Sequence, residues 1–155
     1  MIRTVWIALA ACLLTAHPAS AQAAPADARH QIEPLLDEMV AAANAHDTDR
    51  FMKVYLHQPS LVFVFNGTIF RGFDALHEQQ LKWWNNGASD VAYTQRGAPV
   101  ISVLEPGVAV VMMALASRRA MPDGTVQSGD FAVTMTWQKR PEGWRIVQAH
   151  ESTVR

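Results

Sequence analysis

The sequence is nearly devoid of cysteine, with only Cys12 in 155 residues, so no disulfide can form within the chain. If the N-terminal leader described below is removed, Cys12 goes with it and no thiol remains as a nucleophile. The remaining histidines, at positions 30, 46, 57, 77 and 150, show no H-x-x-x-H or C-x-x-C spacing. A glycine-rich phosphate loop is also missing. We therefore expect no metal site and no cofactor.

The chain also lacks an excess of charge of either sign. It has 13 Lys and Arg against 14 Asp and Glu, which gives a formal net charge of −1. No basic cluster is larger than Arg118-Arg119 or Lys139-Arg140, so we expect no nucleic-acid partner. The longest apolar run, Val5 to Ala16, is shorter than the roughly 20 residues that a membrane-spanning helix needs. The sequence therefore predicts no membrane span.

The first 21 residues have the pattern of a secretory signal peptide. Arg3 supplies a positive charge, the apolar run follows, and Ala19-Ser20-Ala21 is an A-x-A cleavage site. Cleavage after Ala23 is an alternative. We expect a periplasmic or secreted protein. A lipoprotein is the less favoured interpretation, since Leu9 to Cys12 resembles a lipobox.

Removal of residues 1–21 leaves a chain of the size of one domain. Residues 22–28 are small and polar and predict a loose leader, so the domain is expected at 29–155. Helical periodicity begins near Ile32 and continues to Ala43. Asp47 is a suitable N-cap for a second helix that we expect to reach Tyr55.

The rest of the sequence alternates between strand patterns and turn signals, with one further helix predicted from Phe73 to Asn86. Asn66-Gly67 is typical of a tight hairpin turn. The predicted strands are 61–65, 68–71, 89–96, 100–104, 108–119, 125–139 and 144–153. Helices followed by a long run of strands indicate an α+β protein with the helices on one face of a sheet.

Four short motifs carry a resemblance to a known family: Ala45-His46-Asp47, Phe70-Arg71-Gly72, Asp123-Gly124, and the W-x-I-V-x-x-H-x-S pattern from Trp144 to Ser152. Their order resembles that of the NTF2-like superfamily, especially its SnoaL-like and DUF4440-type branch, over about residues 28 to 153. The resemblance implies the conical, ketosteroid-isomerase-like fold, with three N-terminal helices packed on a curved, mainly antiparallel sheet around one cavity. Enzymes, transport factors and kinase assembly domains share this fold, so it does not settle activity.

The ketosteroid isomerases of this superfamily offer a direct test of one activity. The position that resembles their catalytic base is Phe63, their tyrosine donor corresponds to Met39, and their protonated aspartate to Val133. Only Tyr55 resembles one of their pocket tyrosines. A proton-shuttling isomerase needs a carboxylate base and oxyanion donors, so we do not expect steroid isomerisation.

Strand alternation predicts which side chains face the expected cavity. On the last strand, Val147, Ala149 and Glu151 share the apolar face. Trp84 can cap the cavity, and Tyr93 can reach its mouth. The predicted ligand-binding residues are Tyr55, Phe63, Trp84, Tyr93, Leu115, Phe131, Val133 and Met135.

Glu151 and His150 are the candidate catalytic residues. A carboxyl group in an apolar cavity has a raised pKa and can act as general acid or base near neutral pH. The alternative for Glu151 is a rim carboxylate that pairs with Arg118 or Arg119. Histidine is a natural proton carrier, but His150 shares its strand face with Ser152, which we expect to be the outer face, unless a bulge exchanges the two.

These observations favour an exported protein that binds a small, mostly apolar molecule. The sequence leaves open whether it also converts that molecule, and if it does, lyase- or isomerase-type acid–base chemistry is expected. The alternative is a non-catalytic assembly module with a vestigial cavity. A cavity above roughly 300 Å³ favours the first interpretation. We also expect a homodimer through the outer sheet face, where Met112, Thr134, His150 and Ser152 lie.

Overall fold

A computed structural model describes residues 25–153. The predicted signal peptide lies outside the described residues, so export stays a prediction. Within residues 25–153 no helix is both long and apolar enough to cross a membrane.

The helices pack in the order that the periodicity predicts, but their ends differ. They are α1 (Pro25–Asn44), α2 (Thr48–Met52) and α3 (Phe73–Trp83), and a short 3-10 turn, Asn85–Gly87, follows α3. Residues 25–28 belong to α1, so the prediction of a loose leader there was wrong. Ala28 is buried in the core, and this contact favours an early helix start.

The second helix is shorter than expected. Asp47 caps α2 as predicted, because its carboxylate accepts a hydrogen bond from the backbone N–H of Arg50 at 3.0 Å. The helix ends at Met52, since the backbone beyond it bonds to the last strand instead. The carbonyl of Val54 accepts from the N–H of Ile146 at 2.8 Å. Tyr55 is therefore held beside the sheet rather than on a helix.

Seven strands form one sheet in the order β2-β1-β7-β6-β5-β3, and β4 pairs with another part of β5. The strands are β1 (Val62–Phe65), β2 (Thr68–Arg71), β3 (Ala92–Gln95), β4 (Val100–Glu105), β5 (Val108–Ala120), β6 (Val126–Arg140) and β7 (Gly143–Thr153). All pairs are antiparallel except β1 with β7. The α+β class with a mainly antiparallel sheet is confirmed. Two helices precede the first hairpin and the third follows it.

A β-bulge interrupts the pairing of β6 with β7. Thr136 pairs with Gln148, whereas the neighbouring Trp137 pairs with Ile146, so Val147 is the extra residue. As a result Ile146, not Val147, shares the buried face with Ala149. The prediction that Val147 faces the cavity was wrong, because alternation read along a sequence fails by one position at a bulge.

Large side chains fill one end of the inner sheet face. Trp137 and Ile146 are fully buried there, in one cluster with Ile32 of α1. Trp144, the first residue of the closing motif, is also buried, and its indole N–H donates to the side-chain oxygen of Gln31 at 3.2 Å. The closing motif, one of the four that carry the family resemblance, therefore contributes to the core.

Candidate functional site

A cavity of about 410 Å³ lies at the other end of the inner sheet face. Its walls come from all three α-helices, the segment after α2, and strands β1, β3, β5, β6 and β7. Most of its lining side chains are apolar or aromatic. On the α1 side small and flexible residues, Val40, Ala43 and Met39, leave the space open. Such a concave, mostly apolar cavity is the usual form of a small-molecule site.

Most of the residues that the sequence predicts for this cavity do line it. They are Tyr55, Trp84, Tyr93, Leu115, Phe131, Val133, Met135 and Glu151. Phe63 is not among the lining residues. It is buried in the core, with its ring centroid 6.0 Å from that of Trp83. Phe65, two residues later on the same strand face, lines the cavity in its place.

His150 does not reach the cavity. It is exposed on the opposite face of β7, where it pairs with Thr134 of β6. The bulge at Val147 precedes His150 and Glu151, and the strand is regular where these two residues lie. Their side chains therefore point to opposite faces of the sheet. The structure therefore does not bring His150 to Glu151's side of the sheet.

Glu151 is the only acidic residue that lines the cavity within residues 25–153. It lies between Phe65 of β1 and Val133 of β6. Burial raises the pKa of its carboxyl group to about 7. In the described part of the chain no side chain donates a hydrogen bond to it or forms an ion pair with it. The alternative of a rim pair with Arg118 or Arg119 is not what the structure shows.

Tyr55 adds a hydroxyl group near Glu151. Burial raises the pKa of this phenol well above its usual range, and the charge of Glu151 adds to the effect. Tyr55 is therefore neutral at physiological pH and can donate a hydrogen bond. Its hydroxyl has no hydrogen-bond partner among the described residues, although its ring lines the cavity.

Tyr93 is positioned by two other parts of the chain. The side chain of Asn44, the last residue of α1, bonds both backbone polar groups of Tyr93, accepting from its N–H at 2.8 Å and donating to its carbonyl at 3.0 Å. The indole N–H of Trp84 donates to the Tyr93 hydroxyl at 2.9 Å. Because the oxygen accepts from Trp84, the phenolic proton remains available to a ligand. Burial raises the pKa of Tyr93, so that proton is retained.

Sequence reasoning missed several lining residues. Met39 and Ala43 lie on the periodic apolar stripe of α1, and periodicity alone does not separate core from cavity wall. Gln80 of α3 is buried with its side chain against the cavity. Ser117 and Arg119 also line it, and alternation from Leu115 along β5 was the signal that could have found them.

The mostly apolar wall of the cavity contains one titratable carboxyl group, that of Glu151, and two neutral phenols, those of Tyr55 and Tyr93. A carboxyl group that is half ionised near pH 7 can take up or release a proton. Within residues 25–153 no three His, Asp or Glu side chains lie together in a way that would hold a metal ion.

Comparison with solved structures shows the fold. A nuclear transport factor 2 (NTF2-like) superfamily protein from Salmonella enterica is similar at a TM-score of 0.73 and 20% identity, covering 85% of this chain and 94% of that one. A ketosteroid isomerase-like protein from Erwinia carotovora is similar at a TM-score of 0.65 and 19% identity, covering 81% and 95%.

A proposed calcium/calmodulin-dependent protein kinase II association domain from Xanthomonas campestris is also similar, at a TM-score of 0.66 and 17% identity, covering 90% and 97%. No curated protein sequence matches. The family model described as a SnoaL-like domain matches residues 32–155. The chain therefore belongs to the SnoaL-like domain family and has the NTF2-like fold.

Proposed function

We propose that this protein binds a small, mostly apolar molecule in its cavity and performs acid–base chemistry on it through Glu151. The observation that carries the proposal is the cavity of about 410 Å³ with an unpaired carboxyl group in its wall. This volume exceeds the roughly 300 Å³ that we took as the lower bound for a small-molecule site. It favours binding over the alternative of an assembly module with a vestigial cavity.

The chemistry that fits best is proton transfer at a carbon beside a carbonyl group, the first step of many isomerase and lyase reactions. Glu151 takes the proton as the C–H bond breaks, and the electron pair moves to the carbonyl oxygen. Tyr93 donates a hydrogen bond to that oxygen. Its phenolic proton is free to do so because the Tyr93 oxygen accepts from the indole N–H of Trp84. Glu151 then returns the proton, so the step needs no other reactant.

Binding is tested with a neutral aromatic probe, 2-naphthaleneacetamide, titrated calorimetrically. Val133→Phe fills the cavity and is expected to weaken binding by about tenfold or more, because the probe loses its space. Ala132→Phe is the matched control, since Ala132 is exposed on the other face of β6. Failure of the wild-type protein to bind at millimolar concentrations, or equal binding by Val133→Phe, would contradict the proposal.

Acid–base activity is tested by NMR, as exchange of the acidic carbon-bound protons of 2-tetralone for deuterium in heavy water. The wild-type protein is expected to accelerate exchange, and Glu151→Gln to abolish the acceleration while it still binds the neutral probe. His150→Gln is the matched control and should leave exchange unchanged. An unchanged rate in Glu151→Gln would exclude Glu151 as the base.

We also propose a homodimer through the outer sheet face. Backbone pairing places Val100, Met112, Thr134, His150, Val64 and Ile69 in one row across the sheet. Three of these apolar side chains are about half exposed, Ile69 at 53%, Val100 at 54% and Met112 at 45%. An exposed row in which four of the six side chains are apolar favours burial against a second copy.

Sedimentation velocity tests this interface. Met112→Arg should produce monomers, because it places a charge within the row. Met121→Arg is the matched control, since Met121 is also exposed but follows β5 outside the row. A wild-type protein that sediments as a monomer at micromolar concentration would overturn the proposal.

Export is the last part of the proposed function, supported by the tripartite pattern of residues 1–21. N-terminal sequencing of the protein recovered from the periplasm should start at Gln22 or Ala24. A chain that begins at a lipid-modified Cys12 would show that the lipoprotein alternative is correct.

A further inference from the structure

Arg119 lies where the cavity opens to the surface. Its side chain lines the main cavity and also a shallow surface groove formed by residues 85–90 and 119–122. Among residues 25–153 it is the only positively charged side chain in the cavity lining. Any ligand that enters from the groove passes this guanidinium group.

Two partners from the segment after α3 hold Arg119 in place. One terminal nitrogen, Nη2, donates to Ser89 Oγ at 2.8 Å, and Nε lies 3.0 Å from Asp90 Oδ1. Nε is buried, but it makes no hydrogen bond of acceptable geometry, despite that distance. The other terminal nitrogen, Nη1, has no partner among the described residues. Arg119 is thus fixed in position with donor capacity left over.

Asp90 offsets only part of the charge that Arg119 presents to the cavity. Its side chain is 59% exposed, against 38% for that of Arg119, and an ion pair so accessible to water is weak. Asp90 is also absent from the cavity lining. A ligand anion can therefore approach the guanidinium from the cavity side while Asp90 and Ser89 keep it aligned.

Arg119 and Glu151 occupy opposite ends of the cavity. Glu151 of β7 pairs with Val133 of β6, and Val133 pairs in turn with Met113 of β5. Six positions along β5 separate Met113 from Arg119, which corresponds to roughly 20 Å between their backbones. Tyr93 lies between them, paired with Ser117. The cavity thus has a cationic end at its mouth and an acidic end deep inside.

We propose that Arg119 binds the carboxylate of the ligand, so that the ligand class is an elongated carboxylic acid with an apolar body. Arginine's planar fork of donors matches a carboxylate in a two-pronged contact. The carboxylate of Glu151 repels the ligand's own carboxylate, so only one orientation is favourable. The apolar body then reaches inward, toward Glu151. This inference rests on the proposed binding function and adds the chemical class of the ligand.

The test compares two probes of nearly equal shape, 2-naphthaleneacetic acid and 2-naphthaleneacetamide, by calorimetry above pH 7. In the wild-type protein the acid should bind about tenfold more tightly than the amide. Arg119→Met should remove this preference without changing amide affinity. Arg118→Met, an exposed neighbour outside the cavity lining, is the matched control and should keep the preference.

A second variant, Asp90→Asn, is expected to change the affinity for the acid in the opposite direction. It removes the carboxylate that competes for Arg119, so the acid should bind more tightly and the amide should not change. This variant keeps the test decisive if Arg119→Met does not fold, as judged by circular dichroism. Equal affinity of acid and amide in the wild-type protein, or a preference that survives in Arg119→Met, would overturn the inference and leave the binding function standing. No binding of either probe would contradict both.

Discussion

The inner face of the sheet has two ends that differ in packing, although the same strands build both. At one end Trp137, Trp144 and Ile146 are buried in one cluster with residues of α1. At the other end the same strands contribute Val133 and Glu151, and the space stays open. The size of the inward-facing side chains decides which end is core and which is site. Stability and function should therefore respond to different substitutions.

The largest effect is expected at the packed end. Trp137→Ala should lower the free energy of unfolding by about 3–5 kcal/mol, because it leaves a large cavity among fully buried neighbours. Urea denaturation measures the loss. Phe131→Ala at the open end should cost clearly less, since Phe131 already faces the cavity. Equal costs would mean that the two ends do not differ in packing.

The second effect concerns the carboxyl group at the open end. Burial raises the pKa of Glu151 from 4.5 to about 7, so the folded state binds its proton more tightly than the unfolded state does. The contribution of this raised pKa to the free energy of unfolding is complete below about pH 4.5 and is lost as the pH rises through about 7. Glu151→Gln should therefore raise stability by up to about 3 kcal/mol above pH 7, and should have little effect at pH 4.

Thermal unfolding of both proteins across this pH range checks the second prediction. Glu142→Gln is the matched control, because Glu142 is exposed in the turn between β6 and β7. If Glu151→Gln lost stability at neutral pH, the carboxylate would have to make favourable contacts that the cavity geometry does not show.

The smallest effect separates the two cavity tyrosines. Tyr93→Phe removes the acceptor for the buried Trp84 indole N–H and should cost about 1 kcal/mol. Tyr55→Phe removes a hydroxyl group without a hydrogen-bond partner in the described chain and should be neutral within about 0.5 kcal/mol. Urea denaturation of the two variants measures both losses. Equal losses in the free energy of unfolding would mean that the Tyr55 hydroxyl has a hydrogen-bond partner.

Much of the site was predictable from alternation along single strands. Leu115, Phe131 and Val133 were placed correctly because each lies on a regular strand with one apolar face. The depth of a side chain along the strand was not predictable. Phe63 and Phe65 share a face and both lie near Trp83, yet only Phe65 lines the cavity.

The remaining differences have local physical causes. The bulge at Val147 has no clear sequence signal, because a valine suits either a bulge or a regular strand position. The early start of α1 depends on the burial of Ala28, which is a tertiary contact. Tyr55 was expected on a helix, but the backbone of Val54 finds a partner in Ile146 instead. Local propensity cannot anticipate a partner so distant in sequence.

The bulge at Val147 also bears on how the chain tolerates changes in length. Ile146 and Gln148 already pair with adjacent residues of β6, so a chain without Val147 would keep Ala149 and Glu151 on their present face. It would lose the bend that a bulge imposes, at the point where the filled end meets the open one. The fold should therefore tolerate deletion of Val147, as thermal unfolding would show. The deletion should change the width of the cavity opening and leave the same residues facing the cavity.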